Sequence, residues 1–182
     1  MGKVIIFPTD TVYGIGCSIW DKDGIDRIYA IKHRSKDKPL ACLCADLNQI
    51  EQIAVVDDKA KLLIKHFLPG ALTLILKSKK EVLDSIGYLT IGVRIPDCKE
   101  ALEILNANGP MLTTSVNESG LTALNDYEKI VSFYGSLVDE IVPPTKNSSN
   151  VASTVLSIID GNLTILRTGN ITLEMINQVL NV

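Results

Sequence analysis

Val151-Ala152-Ser153-Thr154-Val155-Leu156-Ser157-Ile158-Ile159-Asp160-Gly161-Asn162-Leu163-Thr164-Ile165-Leu166-Arg167 decides the fold class. Val155 to Ile159 and Leu163 to Leu166 are apolar, β-branched runs. Asp160-Gly161 between them is a hairpin signal, because a two-residue turn needs positive φ, which Gly and Asp tolerate. A hairpin is antiparallel, so a chain that otherwise alternates strands with helices has to build a mixed sheet. The same hairpin brings Ser153 and Arg167 to one end.

Outward from the hairpin, Val4 to Phe7 reads as a buried strand that Pro8 ends, delivering Thr9, Asp10 and Thr11 into a turn. Gly14 and Gly16 alternate in the next run, a pattern for close backbone approach and not the GxGxxG of a dinucleotide site. Ile25, Ile28, Tyr29 and Ile31 give a helical face, and Leu40 to Ala45 a strand covered on both sides. Asp57 or Asp58 caps a helix reaching His66; Pro69-Gly70 breaks the chain before a strand over Ala71 to Leu76. Lys77 to Tyr88 is polar and reads as a surface excursion. Thr90 to Pro96 alternates with period two, which puts Thr90, Gly92 and Arg94 on one strand face. Asp97 is the expected cap of a helix carrying Ala101, Leu102 and Leu105, and Met111 to Ser115 the next strand. Asp126 caps a helix with Tyr127, Ile130, Val131 and Tyr134 on one face, Pro143 to Asn150 is the most loop-like segment, and a last helix holds Leu173, Ile176 and Leu180. The reading is one α/β domain over residues 1–182, a twisted mixed parallel and antiparallel sheet flanked by helices.

Composition narrows the function classes. At 182 residues and 19.8 kDa the chain suits one domain with a real core. A net charge of -3 and pI near 5.4 exclude coating of nucleic acid by overall charge, but leave room for a local basic patch. The start is too short before Pro8 for a secretory core, and no apolar run approaches a membrane span, so a cytoplasmic protein is expected. Cys17, Cys42, Cys44 and Cys98 contain no CxxC pair, and His33 and His66 are the only imidazoles, so no metal cage is expected.

Against that acidity stands Lys32-His33-Arg34-Ser35-Lys36-Asp37-Lys38-Pro39, a loop between helix and strand with four cations in eight residues. It reads either as an anion site on rigid flanks or as a solvated charge run complementing a helix dipole. Other cations and hydroxyls recur at strand ends: Thr9 and Thr11, Thr90 and Arg94, Ser115 and Asn117, Ser153 and Arg167. In open α/β sheets such ends border clefts. No Ser or Cys stands beside a His as nucleophile with base, and no carboxylate pair is evident. Cations with hydroxyl and amide donors fit a polyphosphate, and nucleotidyl transfer needs little beyond alignment and charge stabilisation.

Seven blocks resemble, in order, the YrdC family. They are Pro8 to Cys17; Lys32-His33-Arg34 with Lys38-Pro39-Leu40; Pro69 to Thr73; Gly92 to Pro96; Thr114 to Gly120; Ser153-Thr154-Val155; and Leu166 to Gly169. The resemblance implies a threonylcarbamoyl-AMP synthase, which makes the adenylate and pyrophosphate from L-threonine, bicarbonate or CO2 and ATP for tRNA modification, with Mg2+ carried on ATP. It implies a concave basic face, with Thr11, Arg94 and Ser153 on threonine, and Lys32, Arg34, Lys38, Thr90, Ser115, Asn117 and Arg167 on ATP. Expected partners are a tRNA-modifying transferase complex that accepts the product, possible tRNA or double-stranded RNA, and no membrane. Leu43 stands where some relatives carry histidine, and the extra carboxy-terminal domain of longer relatives is expected to be lacking after Val182. The alternative is a double-stranded RNA or ribosome-binding module without catalysis. Pro143 to Asn150 is the expected lid.

Overall fold

The computed structural model describes residues 2–144 and 148–181. Among them nine strands form one sheet in the order β7-β1-β2-β6-β3-β5-β4-β8-β9. These are β1 (Ile5–Phe7), β2 (Gly14–Ser18), β3 (Ala41–Leu43), β4 (Leu72–Lys77), β5 (Thr90–Arg94), β6 (Met111–Ser115), β7 (Glu140–Ile141), β8 (Thr154–Ile159) and β9 (Asn162–Arg167). The pairs β1/β7, β3/β5 and β4/β8 are parallel and the remaining pairs antiparallel, so the sheet is mixed as the hairpin requires.

The helices are α1 (Lys22–Ile31), α2 (Leu47–Ile53), α3 (Asp58–Phe67), α4 (Lys80–Ile86), α5 (Lys99–Asn108), α6 (Tyr127–Tyr134) and α7 (Leu173–Leu180). Most start where a carboxylate or hydroxyl satisfies an otherwise unpaired amide: Asp21 caps α1, Asp57 caps α3, Asp126 caps α6 and Thr172 caps α7. Three readings change. α2 has no counterpart in the sequence reading, although Asp46 caps it through Gln49 N. The supposed excursion after β4 contains α4, which has no side-chain cap and buries only Val82, so its amphipathic signal is faint. The cap of α5 is Cys98, not Asp97, and it makes no side-chain cap bond.

Alternation along the strands divides the sheet into two faces. One face buries Cys42, Leu74, Val93, Leu112 and Leu156 in a core shared with Ile25 and Ile28 of α1, Ile50 of α2, Leu63 of α3, Ile130 of α6 and Ile176 of α7. On the other, α5 covers a smaller cluster of Ile5, Phe7, Leu43 and Met111 through Ala101 and Leu105. The strands beyond α5 on that face are left open. No helix among the described residues is long and apolar enough to cross a membrane.

Candidate active site

The open part of the second face is a cleft of about 500 Å3, a volume suited to a small-molecule ligand. Its floor follows from strand register. Cross-strand partners share a face, and the pairs Gly14↔Ser115, Ala41↔Thr113, Leu43↔Arg94, Ile75↔Gly92, Thr73↔Val155 and Val155↔Arg167 all line it. The cleft therefore lies across the face of the sheet, whereas the sequence reading sets it at the strand ends. Gly92 keeps the floor low. A Cβ there would come within 3.1 Å of Ile75 Cδ1 and 3.3 Å of Thr73 Cγ2.

One wall is built on Arg94, a residue only 5 % exposed. Its Nε donates to the Gly70 carbonyl at 2.8 Å, Nη1 to Thr11 Oγ1 at 2.8 Å, and Nη2 to the Asp10 carboxylate. Asp10 is held in turn by the Asp97 amide at 3.1 Å. Thr11 Oγ1 lies 3.0 Å from Thr9 Oγ1, and Thr9 donates to the Val12 carbonyl at 2.7 Å. With Arg94 donating to it, the Thr11 hydroxyl directs its own proton to Thr9 or to a ligand. Turn chemistry at Thr9 is thus real, and it serves the site as well.

Farther along the same face, two strands on, is the hairpin end. Arg167 donates from Nε to the Ser153 carbonyl at 2.9 Å and from Nη2 to Ser153 Oγ at 3.1 Å, and Ser153 Oγ lies 2.8 Å from Thr73 Oγ1. Burial lowers the proton affinity of both guanidinia. At Arg94 the Asp10 charge opposes that effect, and the positive charge of Arg167 adds to it. Two mutually repelling cations that line one cleft favour an anion there.

The basic loop supplies the rim. The amide of His33 bonds the Ala30 carbonyl and that of Arg34 the Tyr29 carbonyl, while His33 adopts φ 49°, the left-handed turn that ends a helix in a Schellman motif. This reversal brings Arg34 to the cleft. Its Nε donates to the Lys38 carbonyl at 2.9 Å and Nη2 to the Pro39 carbonyl at 3.2 Å. Tyr29 Oη braces the same Lys38 carbonyl at 3.0 Å and meets Tyr88 Oη at 2.8 Å, which accepts from the Leu40 amide at 3.1 Å.

Thr11, Arg34, Thr90, Arg94, Ser115, Asn117, Ser153 and Arg167 all line this cleft. Lys32 and Lys38 do not: Lys38 is exposed, and Lys32 is buried behind the wall. The sequence reading missed Thr73 and Thr113 in the cleft and Asp10 as the counter-charge of Arg94. Period two within Ala71 to Leu76 could have placed Thr73 on the Gly92 face. Of the expected lid, residues 145–147 lie outside the described residues. Ser149 and Asn150 are tied through their amides to the carbonyls of Asp10 and Thr11 at 2.9 and 3.0 Å.

Residues 1–169 match the family of Sua5, YciO and YrdC proteins, which carries the description "Telomere recombination". The chain is 37% identical over 183 residues to the threonylcarbamoyl-AMP synthase of Bacillus subtilis, covering 98% of itself and 53% of that protein. To the putative threonylcarbamoyl-AMP synthase of Methanocaldococcus jannaschii it is 36% identical, covering 95% of itself and 83% of the relative. The structure of Sua5 from Pyrococcus abyssi complexed with L-threonine superposes with a TM-score of 0.90 at 31% identity, over 98% of this chain and 54% of that one. The chain thus spans about half the length of the Bacillus and Pyrococcus proteins and most of the Methanocaldococcus one. A match over nearly the whole chain, joined to the same sheet, makes this protein a member of the Sua5, YciO and YrdC family.

Proposed function

We propose that this protein is a nucleotidyltransferase that forms threonylcarbamoyl-AMP and pyrophosphate from L-threonine, bicarbonate or CO2 and ATP. The observation that carries the reading is that the Arg94–Thr11 and Arg167–Ser153 pairs line one cleft, in a chain similar to a protein seen with L-threonine. An amino-acid carboxylate beside Arg94 would gain charge-assisted hydrogen bonds of about 1.5–3 kcal/mol each. The hydroxyls of Thr11 and Ser153 complete the threonine end. Arg34, Thr90, Ser115, Asn117 and Arg167 form the nucleotide end. Leu43 gives the floor an apolar patch where the threonine methyl can lie.

The threonine amine adds to CO2 to give a carbamate, releasing a proton. A carbamate oxygen then attacks the α-phosphorus of ATP, forming the P–O bond as the bond to the β-phosphate bridging oxygen breaks and pyrophosphate leaves. Catalysis is alignment and charge neutralisation, supplied by Arg34 and by the Mg2+ that enters on the triphosphate as part of the substrate. The labile adenylate passes in the cytoplasm to a tRNA-modifying transferase complex, for threonylcarbamoyladenosine formation. RNA binding without chemistry is the less favoured reading, since it leaves the Arg94–Thr11 and Arg167–Ser153 pairs in the cleft without a use.

Pyrophosphate release with ATP and bicarbonate, with and without L-threonine, tests the proposal. Release that depends on threonine is the expected result. Release indifferent to threonine, or none beside salt-sensitive RNA binding, would overturn it.

A further inference from the structure

Lys32 follows the last turn of α1 and is 1 % exposed although it carries an ammonium group. Nζ donates to the Ser115 carbonyl at 2.5 Å, the Asn117 carbonyl at 2.6 Å and Asn117 Oδ1 at 2.9 Å. An ammonium has three N–H bonds and no lone pair, so these contacts use its whole capacity. The Lys32 carbonyl also accepts from the Ser119 amide at 3.1 Å, so one residue grips this segment twice. Ser115 and Asn117 line the cleft; Lys32 does not.

We propose that Lys32 is a positioning residue and not a nucleotide ligand: its ammonium knots the end of α1 to Ser115 and Asn117 and so sets the cleft wall, leaving anion contact to Arg34. For the nucleotide this rests on the proposed function; the knot itself does not.

Reaching into the cleft would cost Lys32 three charge-assisted bonds and take the ammonium from the Ser115 and Asn117 carbonyls, while Asn117 Oδ1 kept only its bond from Ser115 Oγ. The knot also orients a side chain. Asn117 Oδ1 takes donors from both Lys32 and Ser115 Oγ, the latter at 2.7 Å, which turns Nδ2 to the Leu121 carbonyl at 2.5 Å. Lys32 therefore sets which edge of the Asn117 amide is spent inside the wall, and anchors Leu121 at the mouth. Burial and the neighbouring Arg34 charge lower its proton affinity to about 8, and the contacts that it makes at and past the end of β6 are to the neutral Ser115 and Asn117.

The test compares wild type, Lys32→Met and Arg34→Ala. Without nucleotide, Lys32→Met should speed amide exchange over residues 115–119 about tenfold or more, the effect of stranding one buried acceptor. It should weaken ATP binding while the Kd for L-threonine, whose proposed partners are Thr11, Arg94 and Ser153, stays within about twofold. Arg34→Ala should weaken ATP binding with exchange over 115–119 unchanged. In wild type the 15N signal of the Lys32 ammonium should keep its couplings to the Ser115 and Asn117 carbonyls when ATP is added. Unchanged exchange in Lys32→Met, equal loss of threonine and ATP binding, or transfer of the ammonium from those carbonyls to ATP would each overturn the proposal. If Lys32→Met does not fold, the wild-type ammonium spectrum decides. If wild type binds no ATP, the proposed function fails while the exchange comparison still decides the knot.

Discussion

Replacing Arg94 by Met should destabilise the protein and unmake the wall that it organises. The side chain of Arg94 is 7 % exposed and that of Asp10 18 %. Removing one member of a buried ion pair costs about 3–5 kcal/mol, because the remaining charge is stranded. Asp10 keeps the Asp97 amide and some solvent contact, which puts the expected loss near the lower end, about 3 kcal/mol. In a chain of this size that corresponds to a fall in Tm of about 6–12 °C. Urea denaturation should show a lower midpoint with an unchanged slope. Adding Asp10→Asn should recover about 1 kcal/mol or more by removing the stranded charge. A loss below about 1 kcal/mol in the single variant, or a double variant no more stable than the single one, would show that no stranded Asp10 charge governs the stability of this wall.

Arg34→Ala should keep the midpoint within about 1 kcal/mol, since its bonds are to its own rim loop, yet lower pyrophosphate release by about 100-fold or more; wild-type turnover would contradict its role. The lowered proton affinity of Lys32 sets a pH window. Between about 8, its folded value, and 10.5, its ordinary one, the unfolded chain binds more protons, so this group makes stability rise with pH. The rise is at most about 3 kcal/mol and should be missing in Lys32→Met, as urea titrations at pH 7.5 to 10.5 would show. Gly169→Ala should cost about 1–3 kcal/mol and weaken threonine binding, because a Cβ there would lie 2.5 Å from the Ala152 carbonyl oxygen and 2.6 Å from the Thr154 nitrogen, at the base of the Arg167 wall. An unchanged urea midpoint would show that the backbone yields there freely.

Local chemistry made much of the fold legible. Asp160-Gly161 marked the β8–β9 hairpin, Asp126 and the spacing from Tyr127 to Tyr134 marked α6, and alternation in Thr90 to Arg94 put the right three residues on the cleft face. Signals failed where the chain gave little. α4 spans seven residues with one buried side chain, and the short β7 is recognisable only by its pairing with β1. Period-two reading of Ala71 to Leu76 was available and would have found Thr73. No local pattern could pair Asp10 with Arg94, 84 residues away.

Lys32 and Arg34 show the division most clearly. The sequence alone established a cationic loop after α1, flanked by residues that form a helix and a strand, because charge, periodicity and β-branching act over a few neighbours. Which cation is spent inside the protein and which stands at the cleft was decided by tertiary structure. Strand order puts β6 beside β2 and β3, so carbonyls more than 80 residues away converge on one ammonium, and the reversal at His33 carries Arg34 past them. A side chain's partners are set by burial and by who else needs a donor there, and neither quantity exists until the chain has folded.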